Sequence, residues 1–234
     1  MLRVGSLWQG IIAGYTRVVE PFIGLLVRWR VHPNTLTTIG TACTCAAGVA
    51  FGAGHISTGG WILSITAVFD FADGQVARRT GQSSVFGAFY DSTLDRVGDG
   101  FLFGGLIYFF AADPWHRSMP MVAAGLVGLI ATFVTSYTRS RAETLGIEMK
   151  GIGMFERPER ITLLAAPQAL FGLALDGLVL RLILSFLSAA ALVTATQRIA
   201  YVRWATSARP PEPAVERSPA AAEPSSPELP SPLP

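Results

Sequence analysis

The chain has 234 residues, half of them hydrophobic and only 15% charged, with a formal net charge of +2. Its mean hydropathy is +0.44. Soluble domains commonly carry about 25% charged residues, so this composition argues against a soluble or nucleic-acid-binding domain. Residues 41–69 contain no Lys, Arg, Asp or Glu, and about 20 apolar residues in a helix cross the hydrocarbon core of a membrane. The composition therefore predicts an all-α integral membrane protein; a soluble bundle of buried helices is the less favoured alternative.

The first region, residues 1–33, is predicted to be an amphipathic helix at the membrane interface. Its apolar residues recur at helical spacing over 6–31, and Trp8 and Tyr15 suit the membrane boundary. His32 and Pro33 then break this helix, and we expect Asn34 or Thr35 to cap the next one.

The second region, residues 34–205, is predicted to form a domain of six transmembrane helices. The predicted spans are about 35–53, 58–79, 84–111, 118–143, 158–174 and 177–204. Residues 206–234 are rich in Pro, Ala, Ser and Glu and cannot bury enough apolar surface to fold, so we expect a disordered tail.

The positions of the basic residues predict the orientation in the membrane. Most Lys and Arg residues lie on one side of the predicted spans, whereas the opposite side has only Arg117 and Arg181. Because cytoplasmic loops carry the excess of positive charge, we expect a multi-pass protein of the cytoplasmic membrane. Both termini and the acidic residues described next should face the cytoplasm.

Four aspartates at helical spacing form the strongest functional pattern. Asp70 and Asp73 lie near the end of the second predicted span, and Asp91 and Asp95 lie near the start of the third. In each pair the side chains share one face of a helix. A short turn around residues 80–82 predicts that the two helices are antiparallel neighbours whose polar faces meet.

Several carboxylates at membrane depth are costly unless a cation neutralises them. Oxygen ligands favour a hard divalent ion, Mg²⁺ or Mn²⁺, and four carboxylates could hold two such ions for phosphoryl transfer. Solvated helix caps are the alternative for any one aspartate. A cation transporter would also use intramembrane aspartates, but these four cluster at one end and do not line a path across the membrane.

The same residues resemble the signature of the CDP-alcohol phosphatidyltransferases, Asp-x₂-Asp-Gly-x₂-Ala-Arg-x₈-Gly-x₃-Asp-x₃-Asp. Every fixed position is present between Asp70 and Asp95. Members of this family are six-span membrane enzymes, commonly homodimers, that move a phosphatidyl group from a CDP-linked lipid to an alcohol and release CMP.

The resemblance implies a role for each matching residue. Metal ligands would be Asp70, Asp73, Asp91 and Asp95, and Asp95 would also be the general base on the acceptor hydroxyl. Contacts to the CDP-linked lipid would come from Asn34, Thr35, Leu36, Thr37, Gly74, Arg78 and Ser84.

A group of basic residues further along the chain bears on the choice of alcohol. Their order resembles that in the prokaryotic phosphatidylinositol phosphate synthases, whose pocket binds inositol 1-phosphate. The resemblance implies that the acceptor phosphate is held by Ser136, Arg139, Arg141, Arg157, Arg160 and Arg198. Topology signals and lipid-headgroup anchors are the alternative roles for these arginines.

The sequence alone leaves three hypotheses about function. The leading one is transfer of a phosphatidyl group to inositol 1-phosphate, with glycerol 3-phosphate as the alternative acceptor. The others are a cation transporter and an inactive membrane scaffold with a signalling tail; the scaffold would tolerate Asp95→Asn.

Overall fold

The structure is a computed structural model that describes residues 19–149, 151–154 and 157–207. Residues 19–28 are helical, and six helices follow. They are α1 (Pro33–Gly52), α2 (Ile56–Thr80), α3 (Val85–Ala112), α4 (Met119–Thr144), α5 (Arg157–Phe171) and α6 (Leu178–Ser207). Over the described ranges the fold is all-α, as predicted. The predicted tail lies outside these residues, apart from its first two positions, which belong to α6.

The helix boundaries agree with the predicted spans to within three residues, but the cap of α1 differs. The N-cap is His32, whose side chain accepts a hydrogen bond from the Asn34 backbone N–H at 3.2 Å, and Pro33 is the first helical residue. The expectation that Asn34 or Thr35 caps this helix is therefore wrong. Pro33 suits the first helical position because its missing N–H would have no partner there.

Three of the helices are long and apolar enough to cross a membrane: α1, α4 and α6. The other three do not meet that criterion. The helices α2 and α3 carry the aspartates and arginines of the motif, and α5 has only 15 residues. These three apolar helices support a helical membrane protein.

The helix packing differs from the predicted arrangement around the motif. The helix α1 packs against both α2 and α3, whereas α2 and α3 have no close backbone contact with each other over the described residues. The expectation that they are direct neighbours is wrong. A glycine explains why α1, and not α2, packs against α3. A methyl group at Gly48 of α1 would overlap the Phe101 carbonyl of α3, so the two backbones touch at this point.

The helix α5 runs antiparallel along α2 and brings a distant arginine to the motif. Near one end of the pair, Gly60 lies against the backbone of Ala169, so closely that a methyl group would not fit. Near the other end, Arg157 contacts Asp70. Because Gly60 and Asp70 are ten residues apart on α2, this packing fixes Arg157 at the level of the aspartates.

A salt bridge joins the N-terminal helical segment to the end of α2. The two Nη atoms of Arg79 donate to the Glu20 carboxylate, at 2.7 and 2.9 Å. The hydrogen bond from Arg79 holds the pKa of Glu20 below its usual value. The pair lies on the surface, where such bridges contribute little to stability, but it ties this segment to the end of α2 that carries the motif.

Candidate active site

Residues of α1 hold the two aspartates of α2. The Thr37 hydroxyl donates a hydrogen bond to Asp73 Oδ2 at 2.9 Å. A methyl group built on Gly40 would lie 3.0 Å from Asp70 Oδ1, so the glycine allows α1 to approach this carboxylate. The first half of α1 therefore forms one wall of the acidic site.

The carboxylates of α2 and α3 meet through an arginine rather than through direct helix contact. Arg157 Nη1 lies 2.9 Å from Asp70 Oδ2 and 2.7 Å from Asp95 Oδ1. All three side chains are largely removed from solvent, with exposed fractions of 33% for Asp70, 19% for Asp95 and 17% for Arg157. Two carboxylates from different helices thus share one cationic group.

This arrangement bears on the expected metal. Within the described ranges, no three Asp, Glu, His or Cys side chains lie close enough together to form a ready metal site, and Asp91 is exposed at the edge of the cluster. The donor chemistry nevertheless fits a hard divalent ion: the groups are carboxylates, and Asp70 and Asp95 already converge on a single positive charge. Binding an ion between them requires Arg157 to move aside.

The residues predicted to contact the CDP-linked lipid include two local groups, one where α1 meets the start of α3 and one on α2. Ser84 caps α3 by accepting a hydrogen bond from the Gly87 N–H at 2.9 Å. A methyl group on Gly87 would lie 3.4 Å from Asn34 Oδ1, so the start of α1 reaches the start of α3. On α2, the Arg78 guanidinium lies over Gly74, 3.4 Å from a methyl group built there.

Two of the residues predicted to contact the CDP-linked lipid have different surroundings. Leu36 is almost fully buried in an apolar cluster with Ala72 and Val76, so its side chain supports α1 against α2. Thr35 is exposed. Their roles toward the lipid remain predictions.

Among the predicted acceptor residues, Arg157 and Arg160 lie beside the aspartates. Arg160 Nη1 donates to the Thr132 hydroxyl of α4 at 2.8 Å, and its side chain is only 15% exposed. Arg198 of α6 is buried and donates to two backbone carbonyls, Thr135 at 2.7 Å and Ile152 at 2.9 Å. Arg198 thereby joins α4, α6 and the loop before α5.

The remaining three predicted acceptor residues are on α4. The Ser136 hydroxyl donates to the Thr132 carbonyl at 3.1 Å. Arg139 is half exposed and pairs with Glu143 at 3.0 Å, one turn along the same helix. Arg141 is exposed. The structure does not bring the last two arginines to the aspartates.

A fifth aspartate belongs to the cluster and was missed by the sequence analysis. Asp99 is one turn beyond Asp95 on the same face of α3 and is only 4% exposed. Three arginines surround it: Arg96 Nε at 3.9 Å, Arg157 Nε at 3.7 Å and Arg160 Nη2 at 4.0 Å. The four-residue spacing that relates Asp91 to Asp95 continues to Asp99, and that repeat was the available signal.

Known proteins resemble this chain over most of its length. A model of the family described as CDP-alcohol phosphatidyltransferase matches residues 30–206. The phosphatidylinositol phosphate synthase of Mycobacteroides abscessus is 37% identical over 190 residues, which cover 81% of this chain and 85% of that protein. The enzyme of the same name from Streptomyces avermitilis is 36% identical, covering 82% of this chain and 80% of that protein.

Solved structures extend the similarity to the fold. The Mycobacterium tuberculosis phosphatidylinositol phosphate synthase with CDP-DAG bound superposes with a TM-score of 0.70 at 32% identity, over 80% of this chain and 94% of that chain. The same enzyme in complex with manganese and citrate also gives a TM-score of 0.70 at 32% identity, over 79% and 88% of the two chains. The chain belongs to the CDP-alcohol phosphatidyltransferase family.

Proposed function

We propose that this protein transfers a phosphatidyl group from CDP-diacylglycerol to a hydroxyl of inositol 1-phosphate and releases CMP. The observation that carries this proposal is the position of Arg157 and Arg160 beside the aspartates of the family motif. Two arginines that are largely removed from solvent and lie next to the site of transfer suit an acceptor that brings its own phosphate. The relatives named phosphatidylinositol phosphate synthase support the same acceptor.

The proposed reaction is a displacement at the phosphorus that carries the diacylglycerol. The acceptor hydroxyl oxygen bonds to this phosphorus, and the bond from the phosphorus to the oxygen shared with CMP breaks. The electron pair of that bond leaves with CMP. The hydroxyl proton passes to an Asp95 carboxylate oxygen, which makes Asp95 the general base.

The other residues bind and orient the two substrates. A divalent ion, Mg²⁺ or Mn²⁺, held by Asp70, Asp73, Asp91 and Asp95 would neutralise charge on the pyrophosphate of the donor. Arg78 offers two N–H groups to the same pyrophosphate, and Gly74 keeps the helix surface beneath it open. Arg157 leaves Asp70 and Asp95 to bind the acceptor phosphate together with Arg160.

An acceptor screen tests the activity. The purified protein is given Mg²⁺, CDP-diacylglycerol and one alcohol at a time, and CMP release is measured with inositol 1-phosphate, free inositol, glycerol 3-phosphate and serine. We expect release with inositol 1-phosphate. Release with none of them would refute the proposed enzymatic activity. Release with glycerol 3-phosphate alone would show that glycerol 3-phosphate, and not inositol 1-phosphate, is the acceptor.

The membrane arrangement is a further part of the proposal. We infer that all six helices cross the membrane, that both termini and the active site face the cytoplasm, and that two copies form a homodimer. The distribution of Lys and Arg supports the orientation. Single cysteines are introduced at residues 82 and 116 after replacement of Cys43 and Cys45, and their labelling tests the orientation in the membrane. Only residue 82 should be reachable from the cytoplasm. Measurement of the molar mass in detergent tests whether the protein is a dimer.

A further inference from the structure

Asp99 lies outside the family motif, yet its surroundings tie it to the acceptor side of the site. It is on α3, one turn deeper than Asp95, and almost fully buried. A buried carboxylate is stable only with compensating charge. The compensation comes from Arg157 and Arg160 of α5, together with Arg96 of its own helix.

The distances around Asp99 show an electrostatic cluster without direct hydrogen bonds. The closest of the three arginine nitrogens is 3.7 Å away, and over the described residues neither Asp99 Oδ2 nor the Nε atoms of Arg157 and Arg160 have a hydrogen-bond partner. Asp99, Arg157 and Arg160 line a cavity of about 20 Å³ whose other lining residues are apolar. That volume holds one water molecule, which could bridge such polar atoms.

Arg157 therefore lies between carboxylates on two sides. Asp70 and Asp95 attract its Nη1 atom, while Asp99 attracts its Nε atom from the deeper side. Without Asp99, the guanidinium would be bound only by the motif carboxylates, and its release to an acceptor phosphate would cost more. Arg160 would keep its hydrogen bond to Thr132 but lose its carboxylate neighbour.

We propose that Asp99 is a positioning residue of the acceptor site, which holds Arg157 and Arg160 at the inner side of the aspartate cluster so that both face the acceptor phosphate. This role rests on the proposed function but concerns a residue that the family motif does not contain. Asp99 itself does not touch the substrate. Its effect should therefore appear in binding of the acceptor and not in binding of the CDP-linked donor.

Steady-state kinetics of Asp99→Asn provide the test. We expect the KM for inositol 1-phosphate to rise about tenfold or more, the size of effect expected when a hydrogen-bonded or charge-paired group loses its partner. The KM for CDP-diacylglycerol should change less than about twofold, within the variation expected for substitutions away from a binding site. The preference for phosphorylated over unphosphorylated acceptors should fall in parallel, which a role confined to stability would not produce. An unchanged or lower acceptor KM would overturn the proposal.

Two further variants control for folding. Asp99→Glu keeps the charge, and the adjoining cavity offers room for the added methylene, so we expect most of the acceptor affinity to return. Asp113→Asn removes a carboxylate at the far end of α3 and should leave both KM values unchanged.

A double-mutant cycle keeps the test decisive if Asp99→Asn is poorly folded. Combining it with Arg160→Gln removes both charges of one pair, and the effects on acceptor KM should then be less than additive. Strict additivity would overturn the proposal. If the wild-type protein uses glycerol 3-phosphate instead, the proposed acceptor is wrong. The KM values of the same variants are then compared for glycerol 3-phosphate, and they decide the role of Asp99 independently.

Discussion

Arg157 Nη1 lies 2.7 Å from Asp95 Oδ1, and the same nitrogen lies 2.9 Å from Asp70 Oδ2. The two carboxylates belong to helices α2 and α3, which do not pack directly against each other. A side chain from α5, more than 60 residues beyond Asp95 in the sequence, is thus the link between the two halves of the motif. Carboxylates that would repel each other are held together by a cation that the protein supplies itself.

Arg157→Gln should make the acidic cluster more dependent on metal. Removing one partner of a buried ion pair commonly costs about 3 kcal/mol or more, so we expect a lower unfolding temperature in the presence of EDTA. Added Mn²⁺ should raise the unfolding temperature of the variant more than that of the wild type, because the ion no longer competes with a guanidinium. Thermal unfolding in detergent measures both values.

Arg181→Gln is the matched control for this comparison. Arg181 also pairs with an aspartate, Asp176 at 3.7 Å, but it lies at the start of α6, away from the motif. Its response to Mn²⁺ should equal that of the wild type. Equal metal responses in Arg157→Gln and the wild type would contradict the competition between the arginine and the ion.

Asp95→Asn should abolish turnover while leaving donor binding largely intact. The amide cannot accept the proton of the acceptor hydroxyl, and loss of a general base commonly lowers the rate by about 10²–10⁴-fold. CMP release measures turnover, and CDP-diacylglycerol binding to the purified variant is measured separately. A variant with near-normal turnover would show that Asp95 is not the base.

Gly105→Ala should destabilise the packing of α1 on α3. A methyl group at Gly105 would overlap the backbone carbonyl of Gly48, which cannot move without displacing α1. Since overpacking commonly costs about 1–3 kcal/mol, we expect a clearly lower unfolding temperature and weaker activity. The neighbouring Gly104→Ala is the control, because a methyl group there meets no atom within 4 Å; its better helix propensity should make it neutral or slightly stabilising. Equal effects of the two variants would refute the close contact.

The sequence predicted the local features of this fold well, because helix boundaries and the spacing of the motif depend on neighbouring residues. It could not predict that α2 and α3 stay apart, since this depends on α1, whose Gly48 packs against the backbone of α3. Nor does spacing show that Arg139 pairs with Glu143 at the surface while Arg157 turns inward. Asp99 could have been found, since it continues the four-residue repeat, but the family pattern ends at Asp95.

The last prediction concerns Arg198, which the sequence assigned to the acceptor phosphate. Its Nη1 and Nε atoms donate to the backbone carbonyls of Thr135 and Ile152, so the planar guanidinium joins α6 to α4 and to the loop before α5. A lysine ammonium cannot reproduce that geometry, and an unsatisfied buried carbonyl costs about 1–3 kcal/mol. Arg198→Lys should therefore lower the unfolding temperature as well as the acceptor affinity, whereas Arg203→Lys, on the exposed part of the same helix, should change neither. A normal unfolding temperature in Arg198→Lys together with a raised acceptor KM would show that Arg198 acts mainly as a phosphate ligand and not as a tie between helices.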